Sequence, residues 1–253
     1  AMSLYAEAKD RGDREAALKL ARHLASGRLV PADYSASMAA FEAAIAAGHP
    51  LARVEQGKAL LSGPLASEHA GRGADILREA VADGDRGATL ALAQAQAAGR
   101  IAGETARDAV ETLQAALAVD DVPAIRYLIE LYRDGRRGVL PPNPGAARAL
   151  LEEYAEQMGD AVAAFEHTLL LGRQAMTGES LAALDSHFAH LTDQLRRSAM
   201  IRLRAMSPNS YVFMLQRELS DRGYFAGPRN GLLTRGTIGA ISAYCQEAGI
   251  GDI

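Results

Sequence analysis

Asp185, His187, His190 and Asp193 lie within nine residues of one another in a chain of 253, and all four are of types that ligate transition metals. On a helix, His187 and His190 are three apart and share a face, and neutral imidazoles so placed can hold one zinc ion. A working zinc site asks for more. The His-Glu-x-x-His pattern is missing and so is a third, distant ligand, so both imidazoles read as the polar side of an amphipathic helix and no metal is expected. Glu152-Glu153 and Asp120-Asp121 are carboxylate pairs, but adjacent residues on a helix do not face each other. They read as solvated face and loop. Arg133, Arg136 and Arg137 have two readings: a bidentate clamp for an acidic partner, or a basic helix end that complements the helix dipole. Cys245 is the single cysteine, which excludes an intramolecular disulfide and a cysteine-based zinc site. It reads as a small buried apolar residue. Nucleophile elbow, P-loop and dinucleotide fingerprint are all absent, so the chain is expected to be non-catalytic and to need no cofactor.

The elements that carry these residues follow from a repeat. Gly27, Gly63, Gly99 and Gly135 are each 36 residues apart, and Gly12, Gly48 and Gly84 keep the same step to Asp120, followed by Gly159. Ala16, Ala52, Ala88 and Ala124 each stand eleven residues before a glycine of the first series, as Ala161 does before Gly172. Ala44, Ala80, Ala116 and Ala155 each stand four before the second series. Each unit therefore predicts a helical hairpin. The first helix ends at a glycine that takes the left-handed cap without steric cost. A loop follows, often with proline (Pro31, Pro64, Pro141, Pro142, Pro144), and then a second helix. Small alanines let the two helices approach, while Leu20, Leu92, Leu128 and Phe165 fill the space between them. A hairpin cannot bury its apolar face alone, so hairpins stack.

The pattern Ala-x3-Leu-x3-Tyr-x2-Gly, most complete at Ala124, Leu128, Tyr132 and Gly135, resembles the Sel1-like repeat, a variant of the tetratricopeptide repeat. The resemblance covers residues 5–172, with a three-residue insertion around RRGVLPPNPG and Gln56 where leucine is usual. It implies an all-α solenoid that holds protein partners on a concave face. It also implies an adaptor role, for many such bacterial proteins in the envelope and for some in exopolysaccharide systems.

Residues 173–207 are expected to be linker and terminal packing helix. Glu179 to Ala205 predicts one long helix from the spacing of Leu181, Leu184, Phe188, Leu191 and Leu195, stopped by Pro208. Residues 208–253 differ in texture. Leu215, Gln216, Leu219, Gly223, Tyr224, Gly231, Thr237, Ala240, Ile241 and Tyr244 resemble the peptidoglycan-binding-like domain, a small helical module, with Thr237 just ahead of its second helix. That likeness names Tyr224, Asn230, Thr237 and Tyr244 as cell-wall-binding candidates and peptidoglycan attachment as the alternative function. Asn230 stands where aspartate is usual, Thr234-Arg235 replaces a glycine-containing turn, and Cys245 takes a glutamine place.

Charge bounds the partners. The net charge of −4 argues against nucleic acid, which calls for a basic face. No apolar run approaches the length of a membrane helix. The opening AMSLYAEAKDRGDREAAL lacks the basic and apolar regions of a secretory signal. A periplasmic or secreted location is the expectation that the resemblance brings, with a cytoplasmic one left open.

Overall fold

Both glycine series mark turns of the backbone. In the computed structural model, which describes residues 2–174 and 177–250, Gly27, Gly63, Gly99 and Gly135 have φ between +64° and +73°. Gly12, Gly48, Gly84 and Gly159 have φ between +73° and +87°. Asp120, at the series position between Gly84 and Gly159, is the one non-glycine with positive φ among the described residues, at +48°. Aspartate is among the few side chains that tolerate this region.

Helices run between these turns. The first eight are α1 Met2–Asp10, α2 Arg14–Ser26, α3 Tyr34–Ala46, α4 Ala52–Leu60, α5 Ala66–Ala82, α6 Arg86–Ala97, α7 Ala106–Gln114 and α8 Val122–Asp134. A 3₁₀ turn, Gly63–Leu65, leads into α5, and another, Ala115–Val119, continues α7. Then come α9 Pro144–Glu153, α10 Ala155–Met158, α11 Asp160–Gly172, α12 Gly178–Ala189, α13 Asp193–Met206, α14 Pro208–Asp221 and α15 Arg235–Glu247. The described residues are all-α, with no strand and only an isolated bridge between Arg136 and Leu140. The chain divides into two units, Ala1–Asn143 and Pro144–Ile253.

In the first unit each helix packs on the next, and α2, α4, α6 and α8 also pack on one another in that order. The alanine columns sit at these crossings: Ala16, Ala52, Ala88 and Ala124 are buried, as are Ala44, Ala80 and Ala116. At the crossing of α4 on α5 glycines face each other's helix closely. A Cβ on Gly73 would lie 2.8 Å from the Gly57 carbonyl oxygen, and one on Gly57 would lie 2.7 Å from Leu77 Cγ. A second column, of caps, follows the second glycine series. Asp13 accepts from the amides of Glu15 and Ala16, Asp85 from Ala88, and Asp121 from Ala124. Such caps contribute about 0.5–2 kcal/mol each. His49 holds the same position before α4, where its Nδ1 accepts the Leu51 amide at 3.2 Å.

The pair Asp120-Asp121 is therefore not a solvated loop pair. Asp120 makes the left-handed turn, and Asp121 is buried, capping α8.

Contacts also join residues about one repeat apart. Arg14 donates to the Gly48 carbonyl at 3.1 Å, Glu15 meets His49 at 3.0 Å, and Arg22 meets Glu55 at 3.0 Å. The Tyr34 ring stacks on His69 with centroids 3.8 Å apart. Exposed ion pairs contribute about 0–1 kcal/mol each, so the buried alanine and leucine columns carry most of the stacking energy.

In the second unit α9 and α10 pack on α11, α11 on α12 and α13, α13 on α14, and α14 on α15. The long helix expected over 179–205 is two helices. α12 ends at Ala189, and Thr192, in extended conformation, caps α13 by accepting the Leu195 amide. Leu191 at the break is buried in one core with Leu184, Phe188, Ala199 and Leu203. Because the break keeps Leu191 in that core, the apolar spacing reads through it. Gly172 also departs from expectation. It lies inside α11 without positive φ, at a place where a Cβ would collide with Leu203. Pro208 both follows the end of α13 and opens α14.

Candidate functional site

The residues with chemical potential separate into distinct places. Arg133, in the last turn of α8, is buried and pairs with Asp134 through Nε at 3.1 Å and an Nη at 2.7 Å. Arg136 donates to the Gly135 carbonyl at 2.9 Å and lies 3.6 Å from Glu130. Of the three arginines only Arg137 is exposed.

On α12, Asp185 is engaged by arginines of its own unit, Arg217 and, at 3.6 Å, Arg229. His190 caps the end of α12 and Asp193 starts α13. Among the described residues no group of three or more histidine, cysteine or acidic side chains is placed to hold a metal ion. His187 instead stacks on His167 of α11, with ring centroids 4.6 Å apart and planes at 13°. The pair lines a cleft of about 530 Å³ with Arg148, Glu152, Gln174 and Glu179. Burial is the main reason that both imidazoles titrate below the usual histidine range. The neighbouring charge of His187 adds to this at His167, and that of His190 at His187. His167 was not legible as a partner, since 20 residues and a turn separate it from His187.

The tail is organised around Gln216, which is fully buried on α14. Its Oε1 accepts the amides of Asn230 and Gly231, each at 2.9 Å. Its Nε2 donates to the Leu232 carbonyl at 2.9 Å and to Thr237 Oγ1 at 3.0 Å. Asn230 Oδ1 turns back to the Leu232 amide at 3.0 Å. Two of the four wall-binding candidates, Asn230 and Thr237, are thus spent on a turn and its buried glutamine. Thr237 does not precede the second helix. It lies in the first turn of α15, and Thr234 is the cap. The other two candidates, Tyr224 and Tyr244, meet edge to face at 5.4 Å, with Arg222 over the Tyr244 ring. A hydrogen bond with Glu247 pushes the Tyr224 phenol up. Cys245 is half-buried rather than buried.

A further cleft, of about 440 Å³, lies between α2 and α4 and is lined by Arg22, Ser26, Arg28, Glu55, Lys58 and Ser62. Its signal in the sequence is the near-repeat separation of 33 between Arg22 and Glu55. Compared with known protein families and with curated protein sequences, the chain matches none.

Proposed function

We propose that this protein is a non-catalytic adaptor, an α-solenoid of Sel1-like hairpins that holds protein partners in the bacterial envelope, with residues 208–250 serving as structure. The observation that carries the reading is the succession α2, α4, α6 and α8, each packed on the next. Side chains about one repeat apart, Arg22 of α2 with Glu55 of α4 and Glu15 of α2 with His49 ahead of α4, tie neighbours along it. Such a succession offers a partner a run of adjacent charged side chains rather than one enclosed catalytic pocket. The internal use of Asn230 and Thr237 by Gln216 supports the structural role of the tail.

The test is photocrosslinking in cells, with the crosslinker placed at Lys19 on α2 or Gln94 on α6 of the succession, both exposed, and at Glu42 on α3 as a control. A discrete adduct from the first two positions, recovered with the envelope fraction, is expected. No adduct at any position, or equal adducts from Glu42, would overturn the proposal.

A further inference from the structure

The cleft between α2 and α4 brings three cations against one carboxylate in a chain whose net charge is −4. Glu55 is its organising residue. It accepts from Arg22 Nε through Oε2 at 3.0 Å and from Lys58 Nζ through Oε1 at 2.7 Å. Burial works against the charged form of Glu55, but the hydrogen bonds and charges of Lys58 and Arg22 outweigh it and hold the carboxyl below its usual range. The carboxylate therefore stays ionised and fixes both cations in place.

That fixing lowers the ordering cost a ligand would otherwise face. Arg28 comes from the loop beyond Gly27, is exposed, and makes no ion pair among the described residues. Its guanidinium is free for a planar two-point grip on a carboxylate. The hydroxyls of Ser26 and Ser62 donate to the His23 and Lys58 carbonyls, so towards a ligand they can only accept, as from the N–H groups of a peptide backbone. One positive cleft in an acidic chain does not suit nucleic acid, which needs a stripe of phosphate contacts.

The geometry points to this cleft as the docking place for an acidic peptide segment of a partner protein, its carboxylates shared between Arg28 and the Glu55-held pair Arg22 and Lys58. This rests on the adaptor reading and names the chemistry of the partner. The carbonyl ends of α2 and α4 also reach the cleft and oppose an anion, so the affinity per contact is modest and falls with salt.

The experiment is fluorescence anisotropy of a labelled, C-terminally amidated tetraglutamate peptide titrated with the intact protein, with a tetralysine peptide beside it. Binding of the first and not the second is expected. Arg28→Glu should weaken it by about tenfold, since charge reversal opposite an anion changes both attraction and encounter. Ser62→Lys, which adds a cation at the rim, should tighten it. Arg197→Glu, the same change of net charge on α13, should leave it unmoved. Inorganic phosphate in millimolar excess should not displace the peptide; displacement would make this an anion site and overturn the peptide assignment. No binding, or equal binding by Arg28→Glu and wild type, would overturn it as well. The two readings part in the cellular crosslink. A partner adduct unchanged in the Arg28→Glu protein sinks the cleft and keeps the adaptor. Tetraglutamate binding without any adduct keeps the cleft and sinks the adaptor.

Discussion

Gln216 shows how much a single side chain can organise. Four hydrogen bonds tie it to the backbone of residues 230–232 and to Thr237, all from a fully buried position. Gln216→Ala leaves the Asn230 and Gly231 amides without partners, while the Leu232 carbonyl keeps the Thr234 amide and the Thr237 hydroxyl, and each orphaned amide costs about 1–3 kcal/mol. Earlier melting and faster hydrogen exchange at the Asn230 and Gly231 amides are expected; unchanged exchange there would show that the turn holds without the glutamine. The stacked His167 and His187 make a pH prediction. Burial, then the neighbouring imidazoles, keep both below the ordinary value, with Arg148 acting in the same sense on His167 and Glu152 against it. The unfolded chain, whose histidines titrate near 6.5, therefore takes up protons first as pH falls. The stabilisation is present in full above that value and declines as pH drops through about 6.5. Urea midpoints measured from neutral to mildly acidic pH should fall, and His167→Asn should flatten the slope. A slope identical in that variant would acquit the pair.

Among the elements, the crossing of α4 and α5 is the most exposed to substitution, because backbone meets backbone there. Gly73→Ala puts a methyl 2.8 Å from the Gly57 carbonyl oxygen, where both neighbours are held by their helices. Overpacking of this kind costs about 1–3 kcal/mol. Gly71, two residues away on the same helix, has open space at its Cβ position. Gly71→Ala should stabilise by about 0.5–1 kcal/mol, through helix propensity alone. Opposite signs in chemical denaturation are expected, and like signs would mean that the crossing is not tight. The pairing of helices also outlasts the glycine register. α11 pairs with α12, and α13 packs on α11 as α4 packs on α2. A threonine capping box at Thr177 starts the second helix here, as one at Thr105 starts α7 among the earlier repeats. Ala155 and Ala161, in the columns that are buried earlier, are only half-buried.

For the molecule as a whole, no helix of the described residues is long and apolar enough to cross a membrane. The adaptor reading and wall attachment separate by a simple assay. Purified protein mixed with isolated sacculi should stay in the supernatant, because the turn that would meet a ligand is tied to Gln216. Pelleting that disappears in a Tyr224→Ala, Tyr244→Ala variant would reinstate wall attachment through the ring pair.

What the sequence determined by itself is the set of turns. Positive φ is a property of the residue that sits there, governed by its own Cβ, so a 36-residue glycine series could be read directly as a series of helix ends. Periodicity likewise placed the helices and their buried alanines, since a helix face repeats on the scale of a few residues. Tertiary structure decided the rest. The break at residues 190–192 was hidden because Leu191 and Leu195 serve one core on both sides of it. His167 meets His187, Gln216 meets Asn230, and Arg22 meets Glu55 only once separate helices pack. Those contacts depend on where each helix is rotated and how closely its neighbour approaches, and no local pattern encodes that.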